Sequence, residues 1–420
     1  MLPELKTPIP GPRSLALAER LRGHESRNVT FTSPEFPIFW ERAEGTNIWD
    51  VDGNRFLDLT SAFAVAGLGH GNARLREAMH DQIDTLIHGM GDVHPTELKV
   101  RLCERLSELT FERWGLGDGK VLLCNSGFEA VEAALKTALL CTGKSGVLSF
   151  TGGYHGLGYG ALMAGGSEKF RSPFASQLAD VGVVLPFDLD AVERVLAGGG
   201  LGAILIEPIQ GRGGKVLAPD GFLGGLRALA DDHGAVLIFD EIYSGLNRTG
   251  KLFACEHWGV HPDLICLGKA LTGGFPLSAC VGAAKVMDAW PESSGEALHT
   301  STFLGNPLGC RMALESLDVH ARPETAAGVA LAGDALASRL EAATGARVRG
   351  LGLMLGLEVG DGRGPEMMLA ALGDGIILLA DGPSGEILSF SPPFSISAEE
   401  MDFVAGRVQE YFTSLPGSSS

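Results

Sequence analysis

Residues 235–241 read AVLIFDE, an apolar run that ends on two carboxylates. A short apolar run of this kind predicts a buried strand. Similar runs alternate with helical patterns along the middle of the chain, which is typical of parallel βαβ units in a sheet covered on both faces. The predicted strands lie at 121–124, 147–150, 203–207, 264–268 and 278–284, and the predicted helices at 128–140 and 221–234. Asp240 therefore lies at the carboxyl edge of the sheet, where ligands bind in open α/β folds.

The last third of the chain has a different pattern. It predicts two further helices, two strands, and a final helix that begins at a capping box of Ser397 and Glu400 and runs through Phe412. The helices are expected at 307–320 and 325–344, and the strands at 348–359 and 386–392. A large α/β domain is thus followed by a smaller α+β one, with residues 415–420 expected to fray.

Composition excludes several classes of protein. Asp and Glu total 51 against 33 Lys and Arg, giving a formal net charge of −18 without any basic run, which argues against a nucleic-acid partner. No apolar run is long enough to span a membrane, and no secretory signal is evident. The seven cysteines are scattered without CxxC spacing, so we expect reduced thiols in the cytoplasm and no metal site. The 59 glycines have no collagen period and mark loops instead.

Lys269 directly follows the predicted strand at 264–268 and stands among small residues and glycines. A lone lysine of this kind is most simply a surface turn residue. In an apolar setting, however, its pKa falls and the free amine becomes a nucleophile toward aldehydes. An acid at the same sheet edge, such as Asp240, can keep the nitrogen of a pyridine ring protonated. Lysine and acid together indicate a pyridoxal 5'-phosphate (PLP) site.

Such a cofactor also needs a phosphate cradle and a partner for its ring. Residues 124–130, CNSGFEA, place Ser126 and Gly127 between a strand and a helix N-terminus, where free N–H groups attract a dianion. Residues 152–156, GGYHG, offer Tyr154 or His155 for stacking on the ring. Each signal is weak alone, but the four elements occur together.

In this order the motifs resemble the class III (ω-) aminotransferases of the fold-type I PLP enzymes. The matching blocks are NSGFEAVEAALKTA, YHG, IEPIQGRGG, DEIYSGLNRTGK, GKALTGGFPLSA and HTSTFLGNPLGC, and the resemblance spans about residues 40–395. It implies a large PLP-binding domain with a mostly parallel sheet, and a small α+β domain built from both ends of the chain. The expected divisions are 1–65, 66–315 and 316–420.

The resemblance also implies roles for residues around the cofactor. Lys269 would form the Schiff base and later move the substrate proton, while Asp240 would pair with the pyridinium nitrogen. Ile242 and Tyr154 would cover the two ring faces. Two polar residues match family positions near the cofactor, the second directed toward the phenolic oxygen of its ring: Glu207 and Gln210.

The phosphate would be held by Ser126, Gly127 and the backbone N–H of Phe128. Phe128 replaces the small or hydroxyl residue that is usual in the family, so a side-chain contact to phosphate is lost. Thr302 matches the threonine that reaches the phosphate of a neighbouring subunit. The resemblance thus implies a homodimer with shared active sites, and the residues leave open whether dimers pair into tetramers.

The substrate side departs from the family pattern. Ser389 and Leu157 stand where arginines often grip a carboxylate, and Arg212 stands where the family has glutamate. Arg212 either replaces the missing clamp or points to solvent. Phe63 is a candidate pocket wall. Losing two clamps favours a donor whose amine is not next to a carboxylate, such as an ω-amino acid or a simple amine.

The resemblance implies a PLP-dependent aminotransferase that moves an amino group from this donor to a keto acid or aldehyde by a ping-pong mechanism. A racemase or epimerase, an aminomutase and a decarboxylase of the same fold remain alternatives, because they begin with the same Schiff base. A PLP-binding protein without activity is a further alternative, which the intact Lys269 and Asp240 disfavour.

Overall fold

The computed structural model describes residues 1–414, so the expectation for 415–420 lies outside the described residues. The chain divides into two compact units, one of residues 73–329 and one that combines residues 1–72 with the chain from 330 onward. The sequence-based divisions at 65/66 and 315/316 differ from these by several residues. No helix within the described residues is both long and apolar enough to cross a membrane.

A seven-stranded sheet forms the centre of the 73–329 unit. Its strands are mostly parallel, as predicted, and lie in the order Gly119–Cys124, Ser278–Ala283, Leu264–Leu267, Val236–Asp240, Leu201–Ile206, Gly146–Phe150, Gly182–Leu185. Ser278–Ala283 is antiparallel to both of its neighbours. The segment before it is too short for the crossover that a parallel strand needs. A two-stranded hairpin of Ile209–Gln210 and Val216–Leu217 lies outside this sheet.

Helices of the 73–329 unit cover the sheet. They are Ala73–Ile83, Glu97–Ser107, Glu108–Glu112, Gly127–Thr142, Tyr159–Met163, Glu168–Arg171, Leu189–Ala197, Phe222–His233, Ala284–Met287 and Pro307–His320, with 3₁₀ turns at Ser172–Gln177, Ala254–His257 and Lys269–Leu271. The Phe222–His233 helix ends at a left-handed Gly234, as its sequence predicts. Leu237, Ile238 and Phe239 are fully buried, so the central strand lies in the core.

The other unit holds two four-stranded sheets. One consists of Trp40–Glu44, Asn47–Asp50, Arg55–Asp58 and Ile376–Ile377, and the other of Val348–Leu351, Met354–Glu358, Ile387–Phe390 and Leu379–Asp381. The single strand predicted over 348–359 is wrong, because the chain turns back within it and pairs Leu351 with Met354. Gly352, with φ of 53°, supplies the left-handed turn residue that the apolar pattern conceals.

Five helices belong wholly or partly to this second unit: Pro12–His24, Ser61–Ala64, Pro323–Thr344, Arg363–Gly373 and Ala398–Ser414. The last one begins at the predicted capping box, since Ser397 N donates to Glu400 Oε2 at 2.9 Å and Glu400 N donates to Ser397 Oγ at 3.2 Å. Ser61–Ala64 is a left-handed turn, because all four residues have φ between 47° and 65°. None of the four is glycine, which makes this turn unusual.

Candidate active site

Asp240 ends the Val236–Asp240 strand, and two hydrogen bonds orient its carboxylate. His155 Nδ1 lies 2.9 Å from Asp240 Oδ2, and Ile242 N donates to Asp240 Oδ1 at 3.1 Å. Burial opposes a charge on His155, but its hydrogen bond to Asp240 and the charges of Asp240 and Glu207 raise the pKa of this histidine. The sequence suggests His155 only as an alternative to Tyr154 for stacking, and its contact with Asp240 was not predicted.

Lys269 follows the neighbouring strand, Leu264–Leu267, after Gly268. Its backbone is left-handed, with φ of 45°, and its Nζ lies 4.8 Å from the centre of the Tyr243 ring. Removal from solvent is the largest effect on its amine and lowers the pKa of Lys269 to about 8, although Asp240 and Glu207 act in the opposite direction. The uncharged, nucleophilic form of this amine is therefore far more populated near neutral pH than in an ordinary lysine.

Ser126 and Gly127 lie where the Gly119–Cys124 strand passes into the Gly127–Thr142 helix. Glu129 Oε2 accepts hydrogen bonds from the backbone N–H groups of Asn125 and Ser126 at 2.7 and 3.3 Å. The buried Ser126 hydroxyl finds no hydrogen-bond partner among residues 1–414. The first N–H groups of a helix also lack partners within it, so this turn offers several free donors to an anion.

Ile242 brings the phosphate-loop candidate and Lys269 together. A Cβ on Gly127 would lie 3.0 Å from Ile242 Cδ1, and a Cβ on Gly268 would lie 3.4 Å from Ile242 Cγ2. Ser278 Oγ donates to Ser126 O at 2.6 Å, which ties the cradle to a further strand of the sheet. These contacts place the cradle, the apolar Ile242 side chain and the lysine segment against one another.

Phe128 packs against the loop that carries Tyr154 and His155. A Cβ on Gly156 would lie 2.4 Å from Phe128 Cβ, and one on Gly158 would lie 2.5 Å from Phe128 Cδ2. The two glycines thus leave room for the bulky ring that departs from the family pattern. Phe128 fits here because the residues opposite its ring, Gly156 and Gly158, have no side chains.

Glu207 and Gln210 brace the loops around the site. Glu207 Oε1 accepts from Tyr154 N at 2.8 Å and Oε2 from Gly211 N at 2.9 Å, while Gln210 Nε2 donates to Thr151 O at 2.8 Å. Burial is the main cause that raises the pKa of Glu207, and the charge of Asp240 adds to it. Any contact of Glu207 and Gln210 with a cofactor stays a prediction.

Arg212 is an exposed residue, but its guanidinium does not extend away from the site. Its carbon Cζ lies 4.5 Å from the centre of the Tyr154 ring and 5.6 Å from that of Phe170. A guanidinium on an aromatic face is attracted by the negative charge of that face and keeps its N–H donors free at the edges. The Arg212 charge also acts on the Lys269 amine.

This set of residues fits PLP. The partnerless Ser126 hydroxyl and the helix N-terminus suit a phosphate, Lys269 offers an amine to an aldehyde, and Asp240 offers a fixed carboxylate to a ring nitrogen. A family model described as aminotransferase class-III matches residues 29–412. The chain belongs to the class-III aminotransferases.

Individual relatives agree with this family assignment. The chain is 36% identical over 374 residues to the acetylornithine aminotransferase of Methanopyrus kandleri, covering 88% of this chain and 93% of that protein. It is 35% identical to the succinylornithine transaminase of Salmonella paratyphi A, covering 87% and 90%. A crystal structure of the ornithine aminotransferase of Toxoplasma gondii, with partial occupancy of PLP at its active site, superposes with a TM-score of 0.84 at 28% identity and covers 94% of this chain and 93% of its own.

The class-III family and these relatives make the chain a PLP-dependent aminotransferase with a small-molecule amino donor and a keto-acid acceptor. The predictions of family, fold class, cofactor and transamination are therefore confirmed. These relatives are named as aminotransferases, and none as a racemase, mutase or decarboxylase.

The roles of three further predicted site residues stay predictions. Phe63 and Ser389 belong to the other unit, where Phe63 is 54% exposed and Ser389 is buried in a strand that pairs it with Gly356 and Leu379. Thr302 belongs to the same unit as Lys269 but lies exposed in a loop. Within the described residues, no group of three or more His, Cys, Asp or Glu side chains is arranged to hold a metal ion.

Proposed function

We propose that this aminotransferase takes its amino group from an ω-amino acid of the ornithine type and passes it to a 2-keto acid. The observation that carries the proposal is the position of Arg212 on the Tyr154 ring, within the electrostatic reach of Lys269. An arginine held there can bind a distal carboxylate through two N–H groups while the amine end of the donor reaches Lys269. The acylornithines in the relatives' names fit this requirement, because the ornithine side chain ends in a primary amine.

Leu157 and Ser389, which stand where the family often has carboxylate-binding arginines, favour the same class of donor. Leu157 cannot bind a carboxylate, and the Ser389 side chain is buried within its sheet. A site without these arginines offers little to a carboxylate next to the reacting amine. We infer that recognition depends on the far end of the donor, through Arg212.

PLP, when bound, supplies an aldehyde that condenses with amines and a ring that withdraws electrons from the attached carbon. Lys269 Nζ then takes the proton from that carbon and returns it, which a pKa of about 8 permits near neutral pH. Asp240 would present its carboxylate to the ring nitrogen, because His155 and Ile242 N hold that carboxylate in place. Tyr154 and Ile242 would cover the two faces of the ring.

The phosphate of the cofactor would be held at the N-terminus of the Gly127–Thr142 helix. The Ser126 hydroxyl, Gly127 and the N–H of Phe128 supply the donors, and the positive end of the helix dipole adds to their attraction. Glu207 and Gln210 act by holding the loops that carry Tyr154 and Arg212.

We also propose that the active enzyme is a homodimer. Two segments of the 73–329 unit that contact each other expose large apolar side chains: Ile83, Ile87, Met90, Val93, Leu298 and Phe303. Phe303 packs on His88 with ring centres 5.2 Å apart, and Thr300 Oγ1 donates to Asp92 Oδ2 at 2.7 Å. A contiguous apolar surface of this kind marks an interface. Thr302 lies exposed in the same loop as Phe303, and we propose that it reaches the phosphate site of the partner.

The cytoplasm is the compartment that best suits the thiols. All seven cysteines lie within the described residues as free thiols, and five of them are buried. Burial raises the pKa of Cys124 and Cys310 to about 12, so these thiols stay protonated and unreactive.

Replacing Arg212 tests the donor proposal. Arg212→Ala removes a charge-assisted pair worth about 1.5–3 kcal/mol and should raise KM for an ornithine-type donor at least tenfold. KM for an alkyl amine without a carboxylate should change less than twofold, because that donor gives Arg212 nothing to bind. Steady-state kinetics with both donors, against pyruvate and 2-oxoglutarate, measure this split.

The exposed Arg194 provides the matched control, since Arg194→Ala removes the same charge away from the site and should leave both KM values unchanged. An unchanged KM for the ornithine-type donor in Arg212→Ala would refute the role of Arg212. A wild-type preference for α-amino donors would refute the donor class itself.

A further inference from the structure

A second lysine, Lys215, lies buried near the catalytic one. It closes the loop between the short strands Ile209–Gln210 and Val216–Leu217, and its φ of 58° is left-handed. None of its surface is exposed, and its Nζ donates to Gly211 O at 3.2 Å. Lysine is almost never fully buried in proteins, so its presence here calls for a role that an apolar residue could not fill.

Lys215 and Lys269 share one aromatic ring. Lys215 Nζ lies 4.7 Å from the centre of the Tyr243 ring, and Lys269 Nζ lies 4.8 Å from the same centre. Tyr243 directly follows Ile242, the side chain that contacts the phosphate loop and Gly268. Both amines therefore lie around one ring, next in sequence to the side chain that packs against the phosphate loop and Gly268.

Two ammonium groups around one ring repel each other. Four charged groups act on Lys269 within this unit: Asp240 and Glu207 favour its charged form, and Arg212 and Lys215 oppose it. Burial opposes the charge as well and is the largest effect. Since water does not screen a fully buried cation, the charge of Lys215 acts over a longer distance than that of a surface lysine.

We propose that Lys215 is a positioning residue for transamination, a fixed buried cation that packs on the same Tyr243 ring as Lys269 and favours the uncharged form of the Lys269 amine. In this role Lys215 acts through the Tyr243 ring and the electric field at Lys269. The alternative is a purely structural lysine that closes the hairpin through Gly211 O.

Three variants of Lys215 separate these roles. Lys215→Gln removes the charge but keeps a donor for Gly211 O, Lys215→Met removes both, and Lys215→Arg keeps the charge. The matched control is Lys251→Met, which removes an exposed lysine from the same unit.

Two measurements follow Lys269 itself. In the protein without cofactor, the pH dependence of Lys269 acetylation by acetic anhydride, read by peptide mass spectrometry, gives the midpoint of its deprotonation. In the holoenzyme, the pH midpoint of the change in visible PLP absorbance reports the same nitrogen.

Removing a nearby positive charge stabilises the protonated form, so both midpoints should rise by at least about 0.3 pH units in Lys215→Gln and Lys215→Met. They should stay within about 0.2 units of wild type in Lys215→Arg and Lys251→Met. Midpoints that remain at the wild-type value in Lys215→Gln, with or without lost stability, would overturn the proposal and leave Lys215 a structural residue. Should Lys215→Met fail to fold, Lys215→Gln and Lys215→Arg alone decide the question.

Discussion

The two units of the chain both hold non-glycine residues in left-handed backbone, and they use this conformation differently. In the 73–329 unit, Lys215 and Lys269 are single left-handed residues that direct their amines to one tyrosine ring. In the other unit, Ser61–Ala64 form four such residues in succession and leave Phe63 54% exposed. Each left-handed L-residue costs about 1–2 kcal/mol, so the run of four needs strong compensation.

Asp58 provides that compensation. Its Oδ1 accepts hydrogen bonds from Thr60 N at 2.8 Å and Thr60 Oγ1 at 2.6 Å, its Oδ2 accepts from Ala62 N at 3.2 Å, and His70 Nε2 lies 2.7 Å from Oδ2. Ser61 Oγ also donates to Ser391 O at 2.7 Å. In the 73–329 unit the left-handed residues themselves bear the buried amines, whereas in this turn hydrogen bonds from buried neighbours stabilise the strained backbone and leave an aromatic side chain exposed.

Replacing the catalytic lysine should produce the largest effect in the molecule. Lys269→Ala removes the amine that moves the proton, so turnover should fall by about 10⁴-fold or more and the PLP absorbance of the lysine-bound form should vanish with it. Kinetics and absorbance spectra of the same preparation measure both quantities.

The Lys269→Ala variant should still fold, because alanine meets the same left-handed backbone as lysine and the strain of one such residue is small. Lys251→Ala, at an exposed lysine, serves as the control and should retain full activity. Turnover retained in Lys269→Ala would contradict the assigned chemistry.

Replacing Asp58, which accepts the hydrogen bonds of the left-handed turn, should have the next largest effect, a loss of stability. Asp58→Ala leaves the buried N–H and hydroxyl of Thr60 without their acceptor, so the free energy of unfolding should fall by about 2–4 kcal/mol. Urea unfolding followed by circular dichroism measures it. The exposed Asp84 gives a control, since Asp84→Ala should change stability by less than about 0.5 kcal/mol. Equal stability of the two variants would show that Asp58 does not hold the turn.

Relieving the strain directly should give the smallest effect, with the opposite sign. Ala62→Gly removes a left-handed penalty of about 1–2 kcal/mol and adds about 0.4–1 kcal/mol of chain entropy to the unfolded state, for a net gain of about 0.5–1 kcal/mol. Ala66→Gly, a few residues away at ordinary φ, should instead destabilise the protein. If both glycine variants lose stability in thermal unfolding, the turn is not strained as described.

Sequence patterns predicted the elements whose signals are local. The apolar run ending at Asp240, the left-handed Gly234 and the capping box of Ser397 and Glu400 each depend on a few neighbouring residues. The hairpin at Gly352 was not predicted, because a continuous apolar run has the same sequence pattern whether or not the chain turns back within it.

Site residues that depend on distant partners were not predictable in the same way. His155 acquires its role from Asp240, 85 residues further along the chain. Lys215 acquires its role from Tyr243 and Lys269, and nothing in its own neighbourhood distinguishes it from a lysine in a surface turn. The room for Phe128 likewise comes from two glycines of another loop.

The sequence by itself determined the alternating order of strands and helices, because the periodicity of each element depends on residues close together in the chain. This order also determined that Asp240 and Lys269 follow neighbouring strands at one edge of the sheet. The tertiary structure alone decided the hydrogen bond between His155 and Asp240, the shared ring of the two lysines and the left-handed turn at Ser61–Ala64. These features depend on contacts and backbone strain set by segments far apart in the chain, for which a local pattern carries no information.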